Sequence, residues 1–173
     1  MNRLAAAALC LLALDSAPCM KPAADARPLE CRIEAVEPLV AGGPARIRFQ
    51  LTNRTAAPLW VLRWNTPLEG WRGTIFSVSF RGTELPYQGP MVKRGDPGRE
   101  EYLEIPARES VSATVDLAEV YELAASGEYG VKVEGGLQDV ANDAAAVPRP
   151  RDRQQPMELR CAGVALDVKP KVP

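Results

Sequence analysis

The chain has 173 residues, a length that suits one domain with a sizeable apolar core, and its formal net charge is −1. A charge so close to zero excludes the strongly basic face with which nucleic-acid-binding proteins contact phosphates. The absence of histidine excludes the usual Ser-His-Asp and Cys-His catalytic systems, and no Gly-rich phosphate-binding loop of the G-x-x-x-x-G-K-[ST] type occurs.

The amino-terminal residues have the organisation of an export signal. Arg3 supplies a positive charge, and residues 4–14 form an apolar run of 11 residues that is too short to span a bilayer. Residues 24–26, Ala-Asp-Ala, fit the small-x-small pattern of a signal-peptidase site. We therefore predict a signal peptide over residues 1–26 and a mature periplasmic or extracellular chain over residues 27–173. No later segment of the sequence is predicted to cross a membrane.

Cysteine usage agrees with export. Removal of the signal leaves Cys31 and Cys161, and an even pair in an exported chain predicts a disulfide. The two residues lie in the predicted first and last strands, so the bridge would close nearly the whole domain into one loop. Lipid attachment at Cys19 is an alternative to a free mature protein, although Pro18 directly before that cysteine argues against it.

Alternation of apolar and polar residues is the dominant structural signal. It is typical of strands with one face in a core, and it occurs at residues 45–53, 76–80, 111–117 and 129–133. Residues 59–64 are apolar on both faces, which indicates a central strand. The pattern predicts an all-β fold, an antiparallel immunoglobulin-like sandwich of about seven to nine strands. We expect at most one short helix, within residues 117–125.

Two features near the carboxyl end depart from this alternation. Residues 135–156 show no strand period and space three arginines among prolines, which predicts a long, flexible, exposed loop. The loop is interpreted either as a solvated insertion or as an extended arm that contacts a partner. Residues 157–161 and 164–168 carry opposite parity, which predicts a β-bulge around Ala162 and Gly163.

The first candidate recognition surface is the turn segment, residues 64–71. A strand is predicted to end at Trp64, and Asn65 with the following proline favours a turn, so that Trp64 and Trp71 flank a short loop that also carries Glu69. In one interpretation Trp64 covers the core and Asn65 binds the loop backbone. In the other, the aromatic residues form the rim of a partner-binding site.

The second candidate surface is the tip segment, residues 87–95. It begins with Tyr87, bends at a Gly-Pro pair, and ends with Lys93 and Arg94. The two cations would present a basic tip to an acidic partner. The alternative interpretation is a pair of solvated cations beside a turn.

Carboxylates offer no convincing catalytic site. Zinc catalysis needs three protein ligands, and once the cysteines are paired only carboxylates remain. Glu100 and Glu104 would share one face of a strand but stand about 13 Å apart, which favours solvated surface charge. We therefore expect no enzyme activity, no catalytic residue, no metal and no cofactor.

The stretch LRWNTPLEG…FSVSFRGTELPYQGPMVKRG, residues 62–95, resembles the amino-terminal β-sandwich region of bacterial deuterolysin-like (aspzincin) zinc metallopeptidases. The resemblance continues through Tyr102, residues 110–117 (SVSATVDL) and residues 120–133 (VYELAASGEYGVKV), so it covers roughly residues 45–133. In that family the region precedes the catalytic domain as a pro-region. The H-E-x-x-H helix that binds zinc in those enzymes has no counterpart here.

The resemblance implies a non-catalytic, pro-domain-like binding protein. A free copy of such a region would act in trans on a secreted deuterolysin-like peptidase, either as an inhibitor or as a folding assistant. The alternative is a generic binding or structural module of the periplasm or cell surface, without a peptidase partner. The turn and tip segments both lie inside the resembling stretch, whereas the cysteine pair and residues 135–156 lie outside it.

Overall fold

The computed structural model describes residues 27–36 and 38–172, and the predicted signal peptide lies outside these residues. The all-β prediction is confirmed. The strands of the described part are β1 (Leu29–Ala35), β2 (Leu39–Val40), β3 (Arg46–Asn53), β4 (Leu59–Leu62), β5 (Phe76–Phe80), β6 (Thr83–Glu84), β7 (Tyr102–Ile105), β8 (Ser110–Asp116), β9 (Gly127–Val133), β10 (Gly136–Leu137), β11 (Val140–Ala141), β12 (Met157–Glu158) and β13 (Val164–Lys169).

Helical structure in the described part consists of single 3-10 turns. The turn predicted within residues 117–125 forms at Leu117–Glu119, and the others are Pro67–Glu69, Arg99–Glu101, Ala144–Ala146 and Arg151–Arg153. Within residues 27–36 and 38–172, no helix is long and apolar enough to cross a membrane.

Two sheets enclose the main core. One has the strand order β1-β3-β8, and the other has the order β2-β13-β9-β5-β6, with every pair antiparallel except β2 with β13. Among the strands of five or more residues in the described part, β1, β3 and β8 pair in one sheet and β5, β9 and β13 pair in the other. Strands A, B and E of an immunoglobulin-type sandwich are separated from strands C, F and G in the same way. The inward side chains of both sheets form one apolar cluster that includes Ile47, Phe49, Phe76 and Val131.

Tyr129 adds a second feature of that fold. Its ring is 1% exposed near the start of β9, and its hydroxyl donates to the carbonyl oxygen of Ala125 at 2.9 Å. A tyrosine at this place that binds backbone a few residues upstream is the tyrosine corner of immunoglobulin-like domains.

The predicted disulfide is present between Cys31 in β1 and Cys161, with a Cα–Cα distance of 4.8 Å. The prediction of a β-bulge at residues 162–163 is wrong. The strand ends after Glu158, where β12 pairs with β10, and a new strand, β13, begins at Val164 and pairs with β9. The change of parity therefore reflects a change of sheet on either side of the disulfide.

The prediction of an exposed loop without strands at residues 135–156 is also wrong. The segment contains β10 and β11, and Leu137 and Asp139 are completely buried. β11 pairs with β4, which lies between β11 and β7 as the central strand that its apolar sequence predicts. The alternation that marks strands is missing here because each of these strands has only two residues.

The asparagine of the formal Asn-Arg-Thr glycosylation triplet at residues 53–55 is buried, although Arg54 beside it is exposed. The side chain of Asn53 is 0% exposed, and its amide donates to the carbonyl oxygens of Ala57, Ile105 and Pro106 at 2.8–3.1 Å. Its carbonyl oxygen accepts from the backbone and hydroxyl of Thr55. Both ends of the amide are therefore used to fasten the turn after β3 to the end of β7.

Candidate functional site

The turn segment is ordered by its own sequence. Asn65 follows β4 with a φ of 54°, a left-handed conformation that asparagine tolerates better than most residues. Thr66 then caps the 3-10 turn Pro67–Glu69, accepting from the backbone N–H of Leu68 at 3.2 Å. Thr66 is 2% exposed, and its hydroxyl donates to the carbonyl oxygen of Arg63 at 2.7 Å. These hydrogen bonds therefore fix the backbone of the loop after β4, and the fixed backbone positions its side chains.

Glu69 joins the turn segment to the tip segment. Its Oε1 accepts from the backbone N–H of Asn65 at 2.7 Å and from Nη2 of Arg94 at 2.6 Å. The side chains of Arg94 and Glu69 are only 19% and 9% exposed, so water screens this pair less than an ordinary surface pair. The two segments that the sequence singled out separately therefore meet through one ion pair.

Trp64 lies beneath this pair. The guanidinium carbon of Arg94 is 4.8 Å from the centre of the Trp64 ring, an arrangement that allows a cation–π interaction. The indole N–H donates to Oε1 of Glu101 at 2.6 Å, and the whole residue is 3% exposed. Trp64 thus covers the core, as one of the two interpretations predicts, and it contributes to a surface mainly by orienting Arg94.

Trp71 and Tyr87 belong to a separate aromatic cluster. Their ring centres are 6.3 Å apart, and both rings contact Tyr121, at 6.5 Å from Trp71 and 5.7 Å from Tyr87. The hydroxyl of Tyr121 donates to the buried carbonyl oxygen of Phe76, and burial raises the pKa of both tyrosines above the ordinary value. These aromatic residues fasten the start of the tip segment to the sandwich. Tyr121 was not singled out from the sequence.

A groove of about 580 Å³ lies between the turn and tip segments, and we call it the basic groove. Four cationic side chains line it, namely Arg72, Lys93, Arg94 and Arg151. No carboxylate of the described residues lines it. Trp64 and Asn65 also line it, so the structure brings four of the predicted site residues to one surface. Glu69 lies beneath them, whereas Trp71 and Tyr87 do not line this groove.

A second groove, of about 730 Å³, continues from the first and shares Asn65, Thr74 and Gln138 with it. Its charged lining residues are Glu134 and Glu158, so we call it the acidic groove. Arg160 donates to both carboxylate oxygens of Glu158 at 3.0 and 3.1 Å, and this contact lowers the pKa of that carboxyl group. The charged lining residues therefore change from cations in the basic groove to carboxylates in the acidic groove, where Glu158 is paired with Arg160.

Asp139 holds the far wall of both grooves in place. The residue is 0% exposed, and one carboxylate oxygen accepts from Nη1 of Arg149 at 2.5 Å and from the backbone N–H of Gln155 at 2.8 Å. The other accepts from the hydroxyl of Tyr102 at 2.6 Å. Gln138, which lines both grooves, directly precedes this hub. The buried carboxylate thus fastens residues 135–156 to β7.

The hydroxyl of Tyr102 predicts a loss of stability at alkaline pH. Burial and the Asp139 carboxylate raise its pKa from 10.0 to about 12. Between those values the folded protein holds a proton that the unfolded chain has released, so the free energy of unfolding is expected to fall as pH rises. The contribution is fully present below pH 10.

Urea unfolding followed across this alkaline range measures the effect. Tyr102→Phe is expected to flatten the pH slope, even though loss of the hydroxyl also lowers stability at neutral pH. Tyr87 and Tyr121 have raised pKa values of their own, so the slope of the variant keeps its sign. An unchanged slope in Tyr102→Phe would contradict the assignment.

Comparisons with known proteins connect this architecture with proteases. An extracellular protease of Aeromonas hydrophila is 26% identical over 104 residues, which are 60% of this chain and 29% of that protein. A neutral protease 2 homolog of Arthroderma gypseum is 28% identical over 101 residues, which are 57% of this chain and 27% of that protein. The chain thus spans less than a third of the length of either relative. No family model matches the chain.

These distant sequence similarities indicate a protease-related domain. Together with the disulfide between Cys31 and Cys161, the similarity to an extracellular protease indicates an exported protein.

Proposed function

We propose that this protein is a non-catalytic relative of the pro-region of deuterolysin-like metallopeptidases and that it binds such a peptidase in trans. It acts on the secreted enzyme either as an inhibitor or as a folding assistant, in the periplasm or outside the cell. The peptidase carries the zinc and the chemistry, and this chain carries the recognition surface.

The observation that carries the proposal is the convergence of the turn and tip segments. Both segments lie in the stretch that resembles the family. The ion pair that joins them is between Glu69 and Arg94, which are 25 positions apart in the sequence. The structure uses that pair, the Trp64 ring and the capped 3-10 turn to hold one groove open at the surface. Such a preorganised groove lowers the entropic cost of docking a partner.

The residues of the chain support a role without catalysis. The 173 residues contain no histidine, and neither the turn segment nor the tip segment contains a nucleophile beside a base. Oε1 of Glu69 accepts from Arg94 and from the backbone N–H of Asn65, a structural use of this acidic residue. We therefore propose that the peptidase active site lies outside these residues.

A titration tests the proposal. The protein purified after export is added to an active deuterolysin-like peptidase from the same source, and hydrolysis of a protein substrate is followed. The inhibitor role predicts loss of activity with an endpoint near one-to-one. The folding-assistant role predicts that the denatured peptidase regains more activity when it is refolded with the protein than with an equal amount of serum albumin.

Two results together would overturn the proposal. They are an unchanged hydrolysis rate at large excess of the protein and an unchanged yield on refolding. That outcome would favour the generic periplasmic or cell-surface module instead.

A further inference from the structure

The cations of the basic groove differ in how they are held. Arg94 is fixed by Glu69 and the Trp64 ring, and Nη1 of Arg151 donates to the carbonyl oxygen of Arg94 at 3.0 Å. In the part of the chain that the structure describes, by contrast, no ion pair involves Arg72 or Lys93, and both are exposed. The groove therefore combines two oriented guanidinium groups with two cations that are available to an anionic ligand.

An apolar rim accompanies these charges. Met91 is 73% exposed and Val92 is 37% exposed, and both line the basic groove. Exposed large apolar side chains beside unpaired cations are typical of a surface that takes up a protein segment, because the apolar contact supplies binding energy and the charges supply specificity. A site for a small inorganic anion alone would leave this apolar surface unused.

The acidic groove indicates which class of anionic ligand, a peptide or a polyanion, the surface favours. A uniformly anionic polymer that followed the surface beyond the four cations would meet the carboxylate of Glu134, which no ion pair of the described residues involves, and Glu158 with its Arg160 partner. A peptide can change its side chains along its length, so it matches a surface whose lining changes from cations to carboxylates. The charge pattern therefore favours a protein segment over a nucleic acid or an anionic polysaccharide.

We propose that the basic groove binds an extended, acidic segment of a protein partner, with an apolar side chain of that segment against Met91 and Val92. The proposal rests on the proposed function, because it names the chemistry of the partner's contacting segment. Carboxylates of the segment contact Arg72 and Lys93 first, and the fixed guanidinium groups of Arg94 and Arg151 define its register.

Peptide binding tests this assignment directly. The probe is a short fluorescein-labelled peptide rich in Glu and Asp with one central Leu, and binding is followed by fluorescence anisotropy at low and moderate salt. The charge-reversal variant Arg72→Glu/Lys93→Glu is expected to weaken binding by about tenfold or more, since like charges now face each other. Added salt is expected to weaken binding to the original protein.

A matched control separates the groove from overall charge. The variant Arg32→Glu/Lys171→Glu changes the net charge by the same amount at exposed positions that do not line the basic groove. It is expected to bind the peptide as the original protein does. Equal weakening in both variants, or no binding of the acidic peptide to the original protein, overturns the assignment.

Two further probes identify the class of ligand. A peptide in which Lys replaces every acidic residue is expected to bind at least about tenfold more weakly. Heparin is expected to bind no better than the acidic peptide, and Glu134→Gln is expected to strengthen heparin binding because it removes a like charge from the acidic groove. Tighter heparin binding that depends on Arg72 and Lys93 would overturn the protein-segment assignment in favour of a polyanion site.

The peptidase titration distinguishes failure of this inference from failure of the proposed function. If the Arg72→Glu/Lys93→Glu variant inhibits or refolds the peptidase as well as the original protein does, the trans-acting function stands and the groove assignment is wrong. If the acidic peptide binds in the groove but the peptidase is unaffected, the groove stands and the peptidase partner is wrong.

Discussion

Replacement of Asp139 by alanine is expected to lower the free energy of unfolding by about 3–5 kcal/mol. The substitution removes the partner of the Arg149 guanidinium, whose side chain is only 14% exposed. A charge left unpaired in such a place keeps its desolvation cost and loses the compensating attraction. The same change leaves the Tyr102 hydroxyl and the backbone N–H of Gln155 without their acceptor.

The loss of the Asp139 carboxylate is also expected to disturb the lining of the grooves. Asp139 fastens residues 135–156 to the sandwich, and Gln138 and Arg151 of that segment line the basic groove. Weaker binding of the acidic peptide should therefore accompany the loss of stability. Asp139→Asn is expected to be milder than Asp139→Ala because the amide oxygen can still accept one of these hydrogen bonds.

Urea unfolding followed by tryptophan fluorescence measures the effect. The matched control is Asp152→Ala, a substitution of an exposed aspartate in the same segment, which is expected to change stability by no more than about 0.5 kcal/mol. Similar stabilities of the two variants would mean that the Asp139 hub does not hold the segment.

Removal of the disulfide is expected to have an effect of similar size. The bridge joins residues separated by 130 positions, and in the chain-entropy description a loop of that length stabilises the folded state by about 4–5 kcal/mol. Cys31 lies in β1 of one sheet, and Cys161 lies three positions before Val164, the first residue of β13 in the other sheet. The bridge therefore restrains the unfolded chain and also ties the edge strand β1 of one sheet to the segment that leads into the other sheet.

The double variant Cys31→Ala/Cys161→Ala tests this expectation by its denaturant midpoint. Reduced original protein provides the matched comparison, and it should unfold at nearly the same denaturant concentration as the double variant. A double variant as stable as the oxidised protein would contradict the entropic account of the bridge.

The longer strands were predictable because side-chain direction is a local property of extended backbone. In β3, Ile47, Phe49 and Leu51 alternate with polar residues, and all three are completely buried. The disulfide was predictable for another reason, since only two cysteines follow the predicted signal. The short strands β10 and β11 were not predictable, because two residues cannot display a period.

The candidate site was predictable in part. Asn65, Lys93 and Arg94 were singled out from the sequence, and the structure places them around one groove. Arg72 was passed over although it directly follows Trp71, and Gln138 carried no signal of its own. The ion pair between Glu69 and Arg94 could not be derived, because the turn and tip segments are separated by a strand pair.

By itself, the sequence determined the all-β class, the inward faces of the long strands and the pairing of Cys31 with Cys161. Only the tertiary structure decided that Arg151 reaches the tip segment, that Asp139 becomes a buried hub, and that cations line one groove and carboxylates the other. The physical reason is one of range. Alternation depends on neighbouring residues, whereas these contacts join distant segments whose encounter depends on how the whole chain closes and packs.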